Sequence, residues 1–403
     1  MMKIVAINAV TYGSPAGIMY GIKKVAEEEG HTTYTASSFV KKPQYNEKSH
    51  IISGIFQKSL HILLGRITGY HGCFSHLGTY LFLKKLDKIK PDIIHLHNLH
   101  GWYINLPMLF KYIKKNKIKT IWTLHDCWTF TGHCANFTVA KCDKWKDGCY
   151  LCPQYKNYPE SFVDRSYELY KLKKKWFSGV EDMTIVTPSQ WLENLVKQSF
   201  LKEYPVKVIN NGINLDIFKP TESDFRQKHN LEDKIILMGC AFPWTQRKGL
   251  DIFVELSKRV DKRFKIVLVG LTKEQQVTLP KNIIAIGRTQ SREELAKIYS
   301  AADIFVNPTR EDNFPTVNIE ALACGTPVIT FKTGGSPEII DENSGKVVEC
   351  DALDALIDEI YKMAEQPLNK EDCIKRAEKF DMNDKFKEYV ELYNDCACGR
   401  DRN

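Results

Sequence analysis

The sequence predicts an α/β protein made of two Rossmann-like, doubly wound domains. Length is the first reason, since 403 residues exceed one ordinary hydrophobic core. Second, short apolar runs such as Lys265-Ile266-Val267-Leu268-Val269-Gly270 alternate with helical stretches, and unbroken apolarity marks parallel strands covered on both faces. Third, a strand, a loop and a helix open the chain at residue 3 and open it again at residue 234. The boundary is expected between 205 and 206, with a second domain over 206–379 and a last helix, about 380–403, returning to the first.

Residues 3–9 read as the first buried strand. A loop with Gly13 and Gly17 follows, then a helix from about 18 to 29 that Gly30 ends. The pattern is not G-x-G-x-x-G, so a dinucleotide fingerprint is not supported. The two glycines either border a ligand or only turn the chain. Residues 51–86 read as helices over one sheet face, and their basic, partly apolar character also suits a membrane surface. Residues 91–101 run as a strand into a polar cluster. Ligands gather at the carboxyl ends of strands in open α/β sheets, so His97, Asn98 and His100 are cleft candidates. Residues 120–126 repeat the logic and end on His125. The basic helix at 166–179 has either a solvated face or one for an anionic membrane.

Between these lies Cys134-x7-Cys142-x6-Cys149-x2-Cys152. Four thiolates at this spacing make a closed tetrahedral zinc site, structural because no ligand position stays open. A cluster of buried thiols is the other reading.

In the second half, Arg247-Lys248-Gly249 precedes a helix at 250–260. Two cations at a helix N-terminus oppose the helix dipole and make sense with an anion there. Ser291 and Glu294 form a capping-box pattern. The stretch from Asp312 to Thr330 organises the rest. Pro315 suits the first turn of a helix, Gly325 its left-handed stop, and Pro327 bars continuation before a buried strand. The helix start offers free amides to an anion. Asp312 stands before it, and Glu320 lies about 7–8 Å further along the axis at ~1.5 Å per residue.

This stretch resembles the acid-x7-Glu motif of family 4 glycosyltransferases. By spacing the first acid falls on Asp312, with Glu311 one place earlier. Lys248-Gly249 resembles the family's diphosphate-binding pair; the family's earlier Arg is missing, and Arg247 stands as its substitute. The resemblance implies the GT-B architecture, two Rossmann-like domains facing across a cleft. It implies His125, Lys248 and Asp312 at the reacting centre. It implies donor contacts from Arg247, Gly249, Phe314, Pro315, Thr316 and Glu320, and puts the loop of Gly13 and Gly17 beside the acceptor and the donor phosphates; His97, Asn98 and His100 stay acceptor or cleft candidates from their place at a strand end. The implied reaction moves a sugar, with retention, from a UDP- or GDP-sugar to a saccharide or lipid-linked acceptor in surface polysaccharide synthesis. No Asp-x-Asp motif occurs, so no cofactor is expected for catalysis and zinc only as a structural ion.

Composition fits a globular protein, at 43% apolar and 26% charged residues. The net charge of +8 points to anionic partners: nucleotide sugars, acidic lipid headgroups or nucleic acid. The first residues lead straight into a strand too short for a signal core, and no run of about 18 apolar residues occurs. Cytoplasmic placement, with peripheral contact at the inner membrane face, is therefore the expectation, and the twelve cysteines should be reduced. Two rivals remain. A nucleotide-sugar epimerase has the same fold. A basic, zinc-containing nucleic-acid binder suits the charge, but aromatic and basic residues are not interleaved as such binders require, so no nucleic-acid partner is expected.

Overall fold

The computed structural model describes residues 1–39 and 48–398. The chain forms two compact units, Met1–Asn210 with Lys385–Asn403, and Asn211–Asp384. Both crossings lie five residues later than expected. At the first crossing the cause is a short strand, Val206–Val208, which pairs with the first unit's sheet.

The first unit runs β1 (Lys3–Ile7), α1 (Ser14–Glu28), β2 (Thr32–Ser38), β3 (Ser49–Ser53), α2 (Ile55–Thr68), α3 (His76–Ile89), β4 (Ile93–Leu96), α4 (Leu106–Asn116), β5 (Lys119–Thr123), α5 (Ser166–Phe177), β6 (Met183–Thr187), α6 (Gln190–Gln198) and β7 (Val206–Val208). Local chemistry sets several starts. Asn105 Oδ1 accepts the Met108 N–H at the head of α4, and Ser189 Oγ accepts the Leu192 N–H at the head of α6. Helix α1 begins four residues before the expected place. Gly13, at φ 79°, turns the chain and Pro15 enters the first turn, so Gly17 is a helix residue and not a loop residue.

The second unit runs α7 (Phe225–His229), β8 (Ile235–Cys240), α8 (Leu250–Arg259), β9 (Phe264–Val269), α9 (Lys273–Thr278), β10 (Ile283–Ile286), α10 (Arg292–Ala301), β11 (Ile304–Asn307), α11 (Thr316–Ala323), β12 (Val328–Phe331), α12 (Ser336–Ile339), β13 (Gly345–Val348), α13 (Leu353–Glu365) and α14 (Lys370–Glu378). Helix α15 (Met382–Cys398) starts here, and from Lys385 it belongs to the first unit, where Tyr393 OH bonds His95 Nδ1 at 2.6 Å. Of the expected returning helix, 399–403 lie outside the described residues. The capping box at α10 is half made. Ser291 Oγ accepts the Glu294 N–H, but the Glu294 carboxylate accepts the Gln290 N–H instead of that of Ser291.

Among the described residues, every strand pairing is parallel. The first sheet has the order β3-β2-β1-β4-β5-β6-β7 and the second β10-β9-β8-β11-β12-β13. The second sheet shows why the apolar runs are unbroken. Ile236, Met238 and Phe305 face one core, while Leu237, Ile304 and Val306 face the other. Each fully buried side chain of this size contributes about 1.5–3 kcal/mol. In each sheet the order reverses at one place, between β1 and β4 and between β8 and β11. Chain leaving the carboxyl ends of these strands splays apart there and leaves room for a ligand.

Candidate active site

In the second unit, β8 leads through a 3-10 turn, Gln246–Lys248, to Gly249 at the head of α8. Gly249 has φ 78°, and a Cβ there would lie 2.4 Å from the Pro308 carbonyl, so only glycine lets the two loops approach. The loop after β11 is pinned on several sides. Arg310 N–H donates to the Arg247 carbonyl at 2.9 Å, and Arg247 Nη1 donates to the Glu311 carbonyl at 3.1 Å. Thr333 Oγ1 donates to the Thr309 carbonyl at 2.8 Å, and the Gly335 N–H to the Asn313 carbonyl at 3.1 Å. The Arg310 guanidinium is held by Asp251 at 2.7 Å and Asp351 at 2.7 Å, so it braces the loop.

This bracing sets the side chains. Lys248 Nζ lies 2.5 Å from Asp312 Oδ2, and both side chains keep about a fifth of their surface open, 21% and 23%. Glu311 is buried at 5% exposure, so it is the Asp312 carboxylate that meets the ammonium. Pro315 caps α11, and Glu320 sits on its second turn. Tyr299 OH donates to Glu320 Oε2 at 3.2 Å. Burial lifts the Glu320 carboxyl to about 7, against the opposing pull of the Tyr299 bond. Phe314 turns inward against Phe380, so its ring is part of the core and not free for a ligand. Pro315 is buried beside it, and Thr316 keeps partial exposure. Arg247 is exposed, with its guanidinium toward the acid loop.

In the first unit the strand ends bring histidines together. His97 Nδ1 and His125 Nε2 share a hydrogen bond of 3.0 Å with the rings stacked at 15°. His97 is 1% exposed and stands behind His125, which is partly open. Burial pushes the His125 imidazole down to about 4, so the ring is neutral at physiological pH. His100 bridges two partners, Asp126 Oδ2 at 2.7 Å and Tyr158 OH at 2.7 Å. Burial works to raise the Asp126 carboxyl, but His100 and the Trp128 N–H together hold it below its ordinary value. The Asn98 N–H donates to Asn8 Oδ1 at 3.2 Å, tying the β4 end to the β1 end. Gly13 lies in the same loop region, with open space where a Cβ would stand.

Cys134, Cys142, Cys149 and Cys152 line one small pocket elsewhere in the first unit. Tyr299, Asp126, Tyr158 and Asn8 were not singled out from sequence. Only Asp126 had a usable signal, as an acid directly after His125 at a strand end.

Two family profiles match, Glycosyltransferase Family 4 over residues 24–217 and Glycosyl transferases group 1 over 220–380. The chain belongs to the family 4 glycosyltransferases. Among relatives of this family 4 chain is the colanic acid biosynthesis glycosyl transferase WcaC of Escherichia coli (strain K12). It is 28% identical over 270 residues, which span 64% of this chain and 64% of WcaC, a little under two thirds of each. Among solved structures, a sucrose-phosphate synthase from Thermosynechococcus elongatus matches with TM-score 0.72 and 17% identity over 99% of this chain and 100% of that one. Anabaena HepE, solved with UDP, matches with TM-score 0.68 and 15% identity over 98% and 100%. These likenesses show the GT-B fold.

Proposed function

We propose that this family 4 chain moves a sugar from a nucleotide-sugar donor to a saccharide or lipid-linked saccharide, in the making of a surface polysaccharide. One observation carries the reading. Lys248 and Arg247 stand beside Asp312 at the head of α11, with Glu320 one turn on. That array matches a donor with its diphosphate at the cation and helix amides, its ribose at Glu320 and its sugar toward Asp312. A uridine base is supported by the likeness to HepE.

On donor binding the diphosphate takes over Lys248 as its counter-ion, and Asp312 is released to accept from sugar hydroxyls. The bond from the anomeric carbon to the β-phosphate oxygen breaks, and its electron pair stays on that oxygen. The acceptor hydroxyl bonds to the same face of the anomeric carbon and gives its proton to the departing phosphate, so configuration is retained. Lys248 and the α11 amides meet the growing charge. His125, being neutral, is suited to hydrogen bonding and not to carrying a proton.

A lipid-linked acceptor and peripheral contact with an anionic membrane are supported by the first unit. Helix α2 has no acidic residue and exposes Phe56, Leu60, Leu63 and Ile67 as one stripe, and α3 exposes Leu77 and Leu81. Among the described residues no helix is long and apolar enough to cross a membrane.

Thermal unfolding against a panel of nucleotides and nucleotide sugars tests the reading. A true donor at a hundred times its Kd should stabilise by about 2.7 kcal/mol. Consumption of that donor with a polysaccharide acceptor should give a product of unchanged anomeric configuration by NMR. A panel without any shift overturns the donor reading, and an inverted product overturns retention.

A further inference from the structure

Between β5 and α5 the first unit carries a segment without strands, folded around Phe130, Phe137 and Trp145. It is bulkier than a connection needs to be. Cys134, Cys142, Cys149 and Cys152 all line one small pocket in it, with a cavity of about 10 Å³, whereas the nearby Cys127 does not. Cys134, Cys142, Cys149 and Cys152 are all free of disulfides. The Cys134 and Cys152 thiols hydrogen-bond to each other, and the Gly132 N–H donates to Cys149 Sγ at 3.1 Å.

A further feature, beside the pocket, asks for an anion. Lys173 of α5 is completely buried, yet its ammonium has only the Trp128 and Thr131 carbonyls, at 2.7 and 3.1 Å, and the Trp128 ring at 3.3 Å. The groups facing it that can carry negative charge are the thiols of Cys149, Cys134 and Cys73 and the Asp126 carboxyl. A buried cation is costly unless an anion lies near.

We propose that Cys134, Cys142, Cys149 and Cys152 form a tetrathiolate site for one zinc ion, with Lys173 and the Gly132 N–H compensating its charge. On binding, each thiol loses its proton to solvent and the four sulfurs and Zn²⁺ carry a net double negative charge. That charge is what a buried ammonium and an N–H aimed at sulfur stabilise. As the side chains stand, no group of three or more His, Cys, Asp or Glu is ready to hold a metal among the described residues. Binding therefore requires the four sulfurs to draw together. The ion would brace the stretch that continues to Tyr158, whose OH meets His100 in the candidate site.

The test uses the full chain, purified under reducing conditions. Elemental analysis should find one zinc per chain, and X-ray absorption should find four sulfurs at about 2.3 Å. Alkylation should spare these four cysteines until a chelator is added. Lys173→Met should lower zinc affinity about ten- to a hundredfold in competition with a chelator. Cys149→Ser should release the metal, while Cys350→Ser should keep it; if the former fails to fold, the wild-type readings decide alone. A chain that stays zinc-free in excess zinc, a shell with nitrogen in place of a sulfur, or a Cys134–Cys152 disulfide in the native protein overturns the proposal.

Discussion

Lys248 Nζ lies 2.5 Å from Asp312 Oδ2, so the loops that follow β8 and β11 hold each other where the second sheet reverses its order. The pair keeps about a fifth of its surface open and solvent screens it, so it contributes little stability by itself. Its importance is as a poised cation whose present partner a phosphate can displace.

Lys248→Ala should lower turnover more than donor affinity. A group that meets charge arising only in the transition state acts on kcat, and losing one such donor costs about a hundred- to a thousandfold. Steady-state kinetics with the identified donor decide it. A raised KM with unchanged kcat, in folded protein, removes Lys248 from that role.

Glu320 should make nucleotide binding depend on pH. Its carboxyl ionises at about 7 in the folded chain against an ordinary 4.5, because burial disfavours the charge. Ribose hydroxyls donate best to the ionised form, so affinity should rise as pH passes upward through about 7. The sign for stability is opposite. A raised carboxyl pKa gives stability that is complete below the unfolded value and lost as pH rises through the folded one. Glu320→Gln should flatten both trends, with calorimetry and urea unfolding as the measurements. Nucleotide phosphate also titrates near pH 6, so the difference between the two proteins is the readout. Equal slopes contradict the assignment.

Much of this was legible in advance. The apolar strands at β4, β9 and β12, the glycine stop at Gly325 and the 312–330 stretch announce themselves by pattern. Strands β2 and β3 did not. Strand β2 buries Thr33, Thr35, Ser37 and Ser38, whose hydroxyls bond to Glu27, Ser49 and backbone carbonyls, and hydropathy does not register such a face. Strand β3 contains Ile51 and Ile52 close before Ile55 and Phe56, so its apolar run merged with the helix after it. The His100, Asp126 and Tyr158 contact joins three distant segments, and no spacing rule links them.

Gly334→Ala should damage donor binding without a change in any ligand-contacting side chain. Gly334 has φ 53°, and a Cβ there would meet the Asp312 carbonyl at 1.6 Å. The left-handed conformation alone costs about 1–2 kcal/mol for a residue with a Cβ. The acid loop must shift, so melting temperature and donor affinity should both fall. Affinity equal to wild type would mean the loop position is not critical.

Asp126→Asn should destabilise the first unit by about 1–3 kcal/mol, since the His100 bond and the Trp128 N–H lose a charged acceptor. The wild-type carboxyl lies below its ordinary 3.8, so its contribution is present above that value and fades as pH falls through the folded one. Urea unfolding at neutral pH and in acid should show the two proteins converging in acid. A gap that persists there points to packing instead.

Calorimetry with the nucleoside diphosphate of the preferred donor, on wild type, Glu320→Gln and Asp312→Asn, tests the central claim most directly. A lost charge-assisted hydrogen bond costs about 1.5–3 kcal/mol, roughly ten- to a hundredfold in affinity. Glu320→Gln should weaken the free nucleotide by that amount, while Asp312→Asn should leave it nearly unchanged and impair use of the intact sugar donor. If Asp312→Asn weakens the nucleotide as much as Glu320→Gln does, the donor does not lie with its ribose at Glu320 and its sugar at Asp312.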